Sequence, residues 1–228
     1  SIILNLNINC LKHEKKTNKN IINLSLPSFV DTLDPARSYD TTSASVVYQV
    51  YEQLFQYHYL KTPAVLVPLL AESMPEISNN GRKYTIKIKK NVLYHSDPCF
   101  KGKKRYLKSI DFINQIKRLA FTPVGSRGYW IFENKIIGYD QFRKLAGSDF
   151  NKFKNLNIQG LSAPDDHTLI INLKEPYPQL LYVLAMSFSS PIPMEAIEYY
   201  NNLLDANVIG TGPFYLEKWV KLSKIKIK

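Results

Sequence analysis

The sequence contains no apolar run approaching the ~18–20 uncharged residues of a membrane-spanning helix, which excludes a helical membrane span. Its two cysteines, Cys10 and Cys99, lie too far apart to form a metal-binding pair motif. Catalytic signatures are missing as well: there is no Gly-x-Ser-x-Gly elbow, no His-Glu-x-x-His and no glycine loop ending in Gly-Lys-Ser/Thr. The four histidines, His13, His58, His95 and His167, are scattered. His95 with Asp97 makes at most half a metal site, and a histidine in a turn more often caps or hydrogen-bonds. Gly210-Thr211-Gly212 resembles a phosphate cradle only superficially, because Pro213 and the β-rich run after it deny the helix N-terminus that such a cradle uses. The expectation is a protein without catalytic residues, metal or cofactor.

Acidic residues are also few. Thirty Lys/Arg against 19 Asp/Glu give a formal net charge of +11. Between Gly81 and Arg118 there are twelve Lys/Arg and two Asp. Such a surplus is one footprint of nucleic-acid binding. Part of it alternates along a strand pattern (Lys87, Lys89), however, and no zinc-finger, RRM or basic-zipper pattern accompanies it. The expectation is therefore a solvated face and no nucleic-acid partner, with a basic nucleic-acid-binding domain as the alternative of another class.

What is present is enough for a packed core. The chain has 228 residues, 45% of them hydrophobic and 12% aromatic, which is unlike a disordered chain. Ser1 to Asn9 forms a short apolar tail before Cys10, followed by the polar run Lys12 to Asn20. This pattern is similar to the end of a lipoprotein signal, with Cys10 as the site of lipid attachment and the polar run as a membrane tether. The alternative is a polar leader with an incidental cysteine.

Ile21–Leu26, closed by Pro27, predicts a buried first strand. Thr42 or Ser43 can cap a helix that carries Val47, Val50, Tyr51, Leu54 and Phe55 on one face. After the turn signal Asn79-Asn80-Gly81, Tyr84, Ile86 and Ile88 alternate inward with Thr85, Lys87 and Lys89 outward. A second helix is predicted from Ser109 as cap to Ala120, burying Phe112, Ile113, Ile116 and Leu119. A further strand carries Leu169, Ile171 and Leu173 on one face. Short helices follow near 179–185 and 194–200, then strands near 214–219 and 224–228. The last pattern alternates up to Lys228, which predicts a chain interrupted in mid-fold.

Eight segments fall in an order and spacing that resemble the oligopeptide/dipeptide class of bacterial solute-binding proteins of ABC importers, family 5. They are Leu33-Asp34-Pro35-Ala36, Tyr51-Glu52-Gln53-Leu54, the run from Pro68 to Ser73, and Tyr84 to Ile88. Ser109 to Phe112, Asp165 to Leu169, Pro191-Ile192-Pro193 and Ile209 to Leu216 complete the set. There are two departures. Gln53 stands where the family pattern has glycine, and the family's tight His-Asp-Gly turn is replaced by His95-Ser96-Asp97-Pro98 with a Lys-rich insertion.

The resemblance implies an α/β, type II periplasmic-binding-protein-like fold, present here as the smaller lobe plus part of the first. Residues 1–20 would be a signal remnant or tether, 21–51 the first strand and hinge of lobe I, 52–193 the smaller lobe, and 194–228 a truncated return to lobe I. Two lobes that close around a ligand imply a monomeric receptor outside the cytoplasmic membrane that holds peptides and delivers them to ABC permease subunits. The peptide would be held through its backbone, by β-augmentation. By position after the Leu-Asp-Pro motif, Ser38 to Thr41 would pair with the peptide, with Tyr39, Asp40 and Thr41 as candidate ligand-binding residues. Tyr129 and Trp130 would add apolar contact, although both also suit a core. A nickel chelate, haem or oligosaccharide is the alternative ligand within the family.

Overall fold

A computed structural model describes residues 21–228; the lipid attachment expected at Cys10 and the tether or signal remnant expected over 1–20 lie outside the described residues. The centre is a four-stranded antiparallel sheet in the order β3-β4-β6-β5. Its strands are β3 (Glu76–Ser78), β4 (Lys83–Lys87), β5 (Leu161–Asp165) and β6 (Thr168–Asn172). The alternation read from the sequence sets the register: Tyr84 lies opposite Ile171 and Ile86 opposite Leu169. Tyr84, Ile86, Ile88, Leu169, Ile171 and Leu173 are all buried. Each fully buried aliphatic side chain contributes roughly 1.5–3 kcal/mol of transfer free energy.

Helix α2 (Ser109–Ala120) packs on β5 and β6. It is buried on nearly every side, because α3 (Tyr139–Ala146) and a 3-10 turn at Ser187–Ser189 cover its other faces. Ser109 is its first helical residue, and Lys108 holds the cap position. Asp111 accepts a bond from the Lys108 backbone N–H at 2.9 Å, closing the first turn. Next to α2, α4 (Phe150–Asn155) joins a cluster of Phe121, Phe142, Phe150 and Phe153. Short helices α5 (Leu180–Val183) and α6 (Met194–Tyr199) follow.

Three expectations from the sequence are corrected. Ile21–Leu26 forms no strand, and Ile21, Ile22, Leu24 and Leu26 are exposed. An apolar run becomes a strand only by pairing, and no strand among the described residues pairs with it. Helix α1 spans Thr41–Val50 and is capped by Asp40 rather than by Thr42 or Ser43. The Ser43 hydroxyl accepts from the Asp31 N–H instead. Nor does α1 continue through Leu54 and Phe55: Tyr51 turns extended, and Phe55–Tyr57 forms β1, paired with β2 (Leu66–Pro68).

The stop comes from packing. Gly212 donates its N–H to the Val50 carbonyl at 2.9 Å and Phe214 to that of Gln49 at 3.2 Å, so the last carbonyls of α1 are capped by a distant segment. A Cβ on Gly210 would lie 1.9 Å from the Val50 oxygen, which is why glycine is required there. That segment then runs into the hairpin β7 (Leu216–Val220) and β8 (Lys224–Ile227).

Candidate functional site

Asp34 is the structural centre of the Leu-Asp-Pro motif. Its carboxylate is buried and meets Arg118 of α2 in a two-pronged pair, at 2.9 and 2.6 Å. Arg118 also donates to Asn202 at 2.8 Å and to Gln115 at 3.1 Å, while Asp34 accepts the Ala36 N–H at 2.9 Å. Asp205 takes the same segment from the other side. Its backbone carbonyl accepts the Leu33 N–H at 2.9 Å, and its carboxylate binds Arg37 and the Thr32 hydroxyl. Residues 32–37 are thus held between α2 and the loop after α6.

This anchored turn delivers Ser38 to Thr41. Tyr39, Asp40 and Thr41 are all exposed. The N–H groups of Tyr39, Asp40 and Thr41 and the carbonyls of Ser38 and Tyr39 have no backbone partner among the described residues. Asp40 is extended (φ −84°, ψ 154°), whereas Thr41 already belongs to α1. The extended part therefore ends one residue earlier than the sequence suggests. The Asp40 carboxylate caps α1 by accepting the Ser43 N–H at 2.7 Å. Burial pushes this carboxyl upward, but the hydrogen bonds from Ser43 outweigh it and hold it below its ordinary range.

Tyr39 leans on Phe188, with ring centroids 6.1 Å apart. Gly128 approaches the same phenylalanine so closely that a Cβ there would meet its ring at 2.6 Å. Ser126 donates to the Ala36 carbonyl at 2.6 Å. The Gly125–Gly128 loop and the strip are thus neighbours. The two aromatics after that loop part ways. Tyr129 stacks on Tyr139 at 5.3 Å, donates its hydroxyl to Asp140 at 2.8 Å and carries the Arg143 guanidinium 4.1 Å from its ring centre. Its hydroxyl and ring faces serve the packing of the smaller lobe, and burial, seconded by Asp140, pushes its phenol up. Trp130 remains 53% exposed.

Sequence reading did not single out Phe188 or Ser126, or the pairing of Arg118 with Asp34. The apolar run 180–188 has nothing that marks one phenylalanine as a neighbour of Tyr39. His95 and Asp97 line a concavity of about 600 Å³ with Tyr200 and Tyr215. There His95 Nε2 meets the Gly212 carbonyl at 2.7 Å, and Asp97 caps the turn at Cys99. No group of three metal-ligating side chains occurs among the described residues.

A family model described as bacterial extracellular solute-binding proteins, family 5 Middle, matches residues 65–228. The chain belongs to this family. A glutathione-binding protein of Escherichia coli is 26% identical over 213 residues, 92% of this chain and 34% of the relative. Di/tripeptide-binding protein 3 of Pseudomonas aeruginosa is 28% identical over 212 residues, 86% of this chain and 35% of the relative. The family 5 chain therefore spans about a third of the length of the curated relatives it matches.

Among solved structures, a periplasmic oligopeptide-binding protein from Borrelia burgdorferi superposes with a TM-score of 0.73 at 24% identity, over 90% of this chain and 38% of that one. A periplasmic binding protein from Helicobacter pylori in complex with peptide STSA gives a TM-score of 0.65 at 24% identity, covering 88% and 37%. These likenesses establish the fold as part of the α/β, type II periplasmic-binding-protein-like architecture. The family is one of solute-binding proteins.

Proposed function

We propose that the full-length protein is the substrate-binding component of an ABC importer, capturing peptides outside the cytoplasmic membrane and passing them to the permease. One observation carries this reading: the N–H groups of the exposed residues Tyr39, Asp40 and Thr41 and the carbonyls of Ser38 and Tyr39 have no backbone partner among the described residues, in a segment held in place by the buried Asp34–Arg118 pair. An extended peptide offers the complementary groups whatever its side chains, which makes a backbone strip suited to a broad peptide receptor. Relatives whose names specify glutathione and di- and tripeptides support that ligand class.

In this reading Tyr39, Asp40 and Thr41 form one wall of the site, Trp130 adds an apolar contact from the smaller lobe, and Cys10 serves as a lipid tether. Residues 21–51 and 194–228 belong to lobe I and 52–193 to the smaller lobe, with the closing wall supplied by sequence other than the residues described. Calorimetric titration of the full-length protein with tripeptides and their N-methylated analogues tests it. Methylating one peptide N–H that faces the strip is expected to weaken binding by up to about tenfold, the value of one hydrogen bond. Equal affinity for methylated and unmethylated peptides would refute backbone pairing.

A further inference from the structure

At the far end of α1 from the strip, roughly 15 Å away at 1.5 Å per residue, lies a separate concavity of about 380 Å³. Its walls include Tyr48, Tyr51 and Tyr57, and its polar groups include Glu52 and Gln53. Two of the rings are pinned: the Tyr48 hydroxyl accepts the Ser187 N–H at 3.1 Å, and that of Tyr51 accepts the Ile209 N–H at 3.2 Å.

Glu52 is half-buried and forms no ion pair among the described residues. Burial raises its carboxyl above the ordinary range, with the Thr211 hydroxyl and Lys89 acting the other way. A carboxylate partly withdrawn from water gains strongly from a counter-ion. Gln53 has both amide protons engaged, on the Tyr51 carbonyl at 3.2 Å and the Ser190 hydroxyl at 3.0 Å. Its Oε1 is therefore the group left to bind, and it can only accept. Gln53 replaces the glycine of the family pattern, so this acceptor is a property of this chain rather than of the fold.

A carboxylate, an amide oxygen and three aromatic walls all favour a cation that carries several N–H donors and an apolar stem. We infer that this concavity receives an alkyl-ammonium or guanidinium group, with Glu52 as counter-ion, Gln53 Oε1 as acceptor and the tyrosine rings around the stem. The site is distinct from the peptide strip and stands whether or not that strip binds peptides.

The test is calorimetric titration of the protein with agmatine, using pentanol as the uncharged control. Glu52→Gln keeps the shape and removes the charge. It is expected to weaken agmatine binding about tenfold, as one charge-assisted hydrogen bond requires, and to leave pentanol unchanged. Gln53→Gly leaves Glu52 in place and is expected to weaken agmatine by a smaller factor. Thermal unfolding of both variants controls for folding, and either variant suffices if the other fails to fold. Titration with Ala-Lys-Ala and Ala-Met-Ala separates the sources. A Glu52→Gln loss for the lysine peptide assigns the cation to a peptide side chain; a loss for agmatine alone assigns it to a free amine. Agmatine binding no tighter than pentanol, or both variants binding agmatine as the wild type does, overturns the inference.

Discussion

Arg118 and Asp34 are both withdrawn from water, with side-chain exposures of 0% and 1%, so each depends on the other for its charge balance. Replacing Arg118 with methionine leaves the Asp34 carboxylate buried without its partner. The expected loss is about 3–5 kcal/mol in urea unfolding, whereas Asp34→Leu/Arg118→Met together should recover much of it. A single Arg118→Met variant as stable as the wild type would show that the pair is not what holds residues 32–37. Lys117, one position earlier, is also buried, and its ammonium donates to the Lys154 carbonyl at 3.0 Å between Phe142 and Phe153. Burial pulls its pKa from 10.5 down to about 8. The unfolded chain therefore binds more protons between those values, and stability should rise with pH from about 8 to 10.5 and show no Lys117 contribution to the slope below 8. Unfolding curves of wild type and Lys117→Met across that range check this, the variant losing the rise.

Helix α1 shows how an element can be legible in its pattern and still be misread at its ends. Its apolar period continues on paper through Leu54 and Phe55, but Gly210 and Gly212 arrive from far along the chain and close the helix at Val50. Gly210→Ala should therefore destabilise the protein by about 1–3 kcal/mol or more, since its Cβ would overlap a helix carbonyl. A thermal midpoint unchanged by that substitution would show that the contact is dispensable. Elements β4, β6 and α2 were readable because their apolar residues recur at periods of 2 and 3.6 against a single core. Helix α3 also carried a signal that went unread, with Tyr139, Phe142 and Ala146 buried between Gly138 and Gly147. Strands β1, β2 and β3 have three residues each, too few for any period to show. The sequence Leu161–Asp165 of β5 includes a proline, which argues against a strand until its partner β6 is known.

For the whole molecule, the basic surplus looked like a surface property, yet the structure draws four of the twelve cations between Gly81 and Arg118 into its interior or into ion pairs. Arg118 and Lys117 are buried, Arg105 pairs with Asp111 and Glu195, and Lys108 pairs with Asp166. The site was legible only in part. Motif order points to Ser38–Thr41 as the proposed strip, but its anchoring by Arg118 and its contact with Phe188 join residues 84 and about 150 positions apart, which no local pattern encodes. Trp130 stays available, whereas Tyr129 is taken up by packing.

In the proposed reading the strip is one open wall, and peptide binding depends on the full-length protein closing over it. Native mass spectrometry of that protein, purified without denaturation, tests this most directly. A series of adducts with the masses of short peptides of varied sequence is expected, lost on mild unfolding. A folded full-length protein that carries no adduct and takes up no peptide from a diverse library would contradict it.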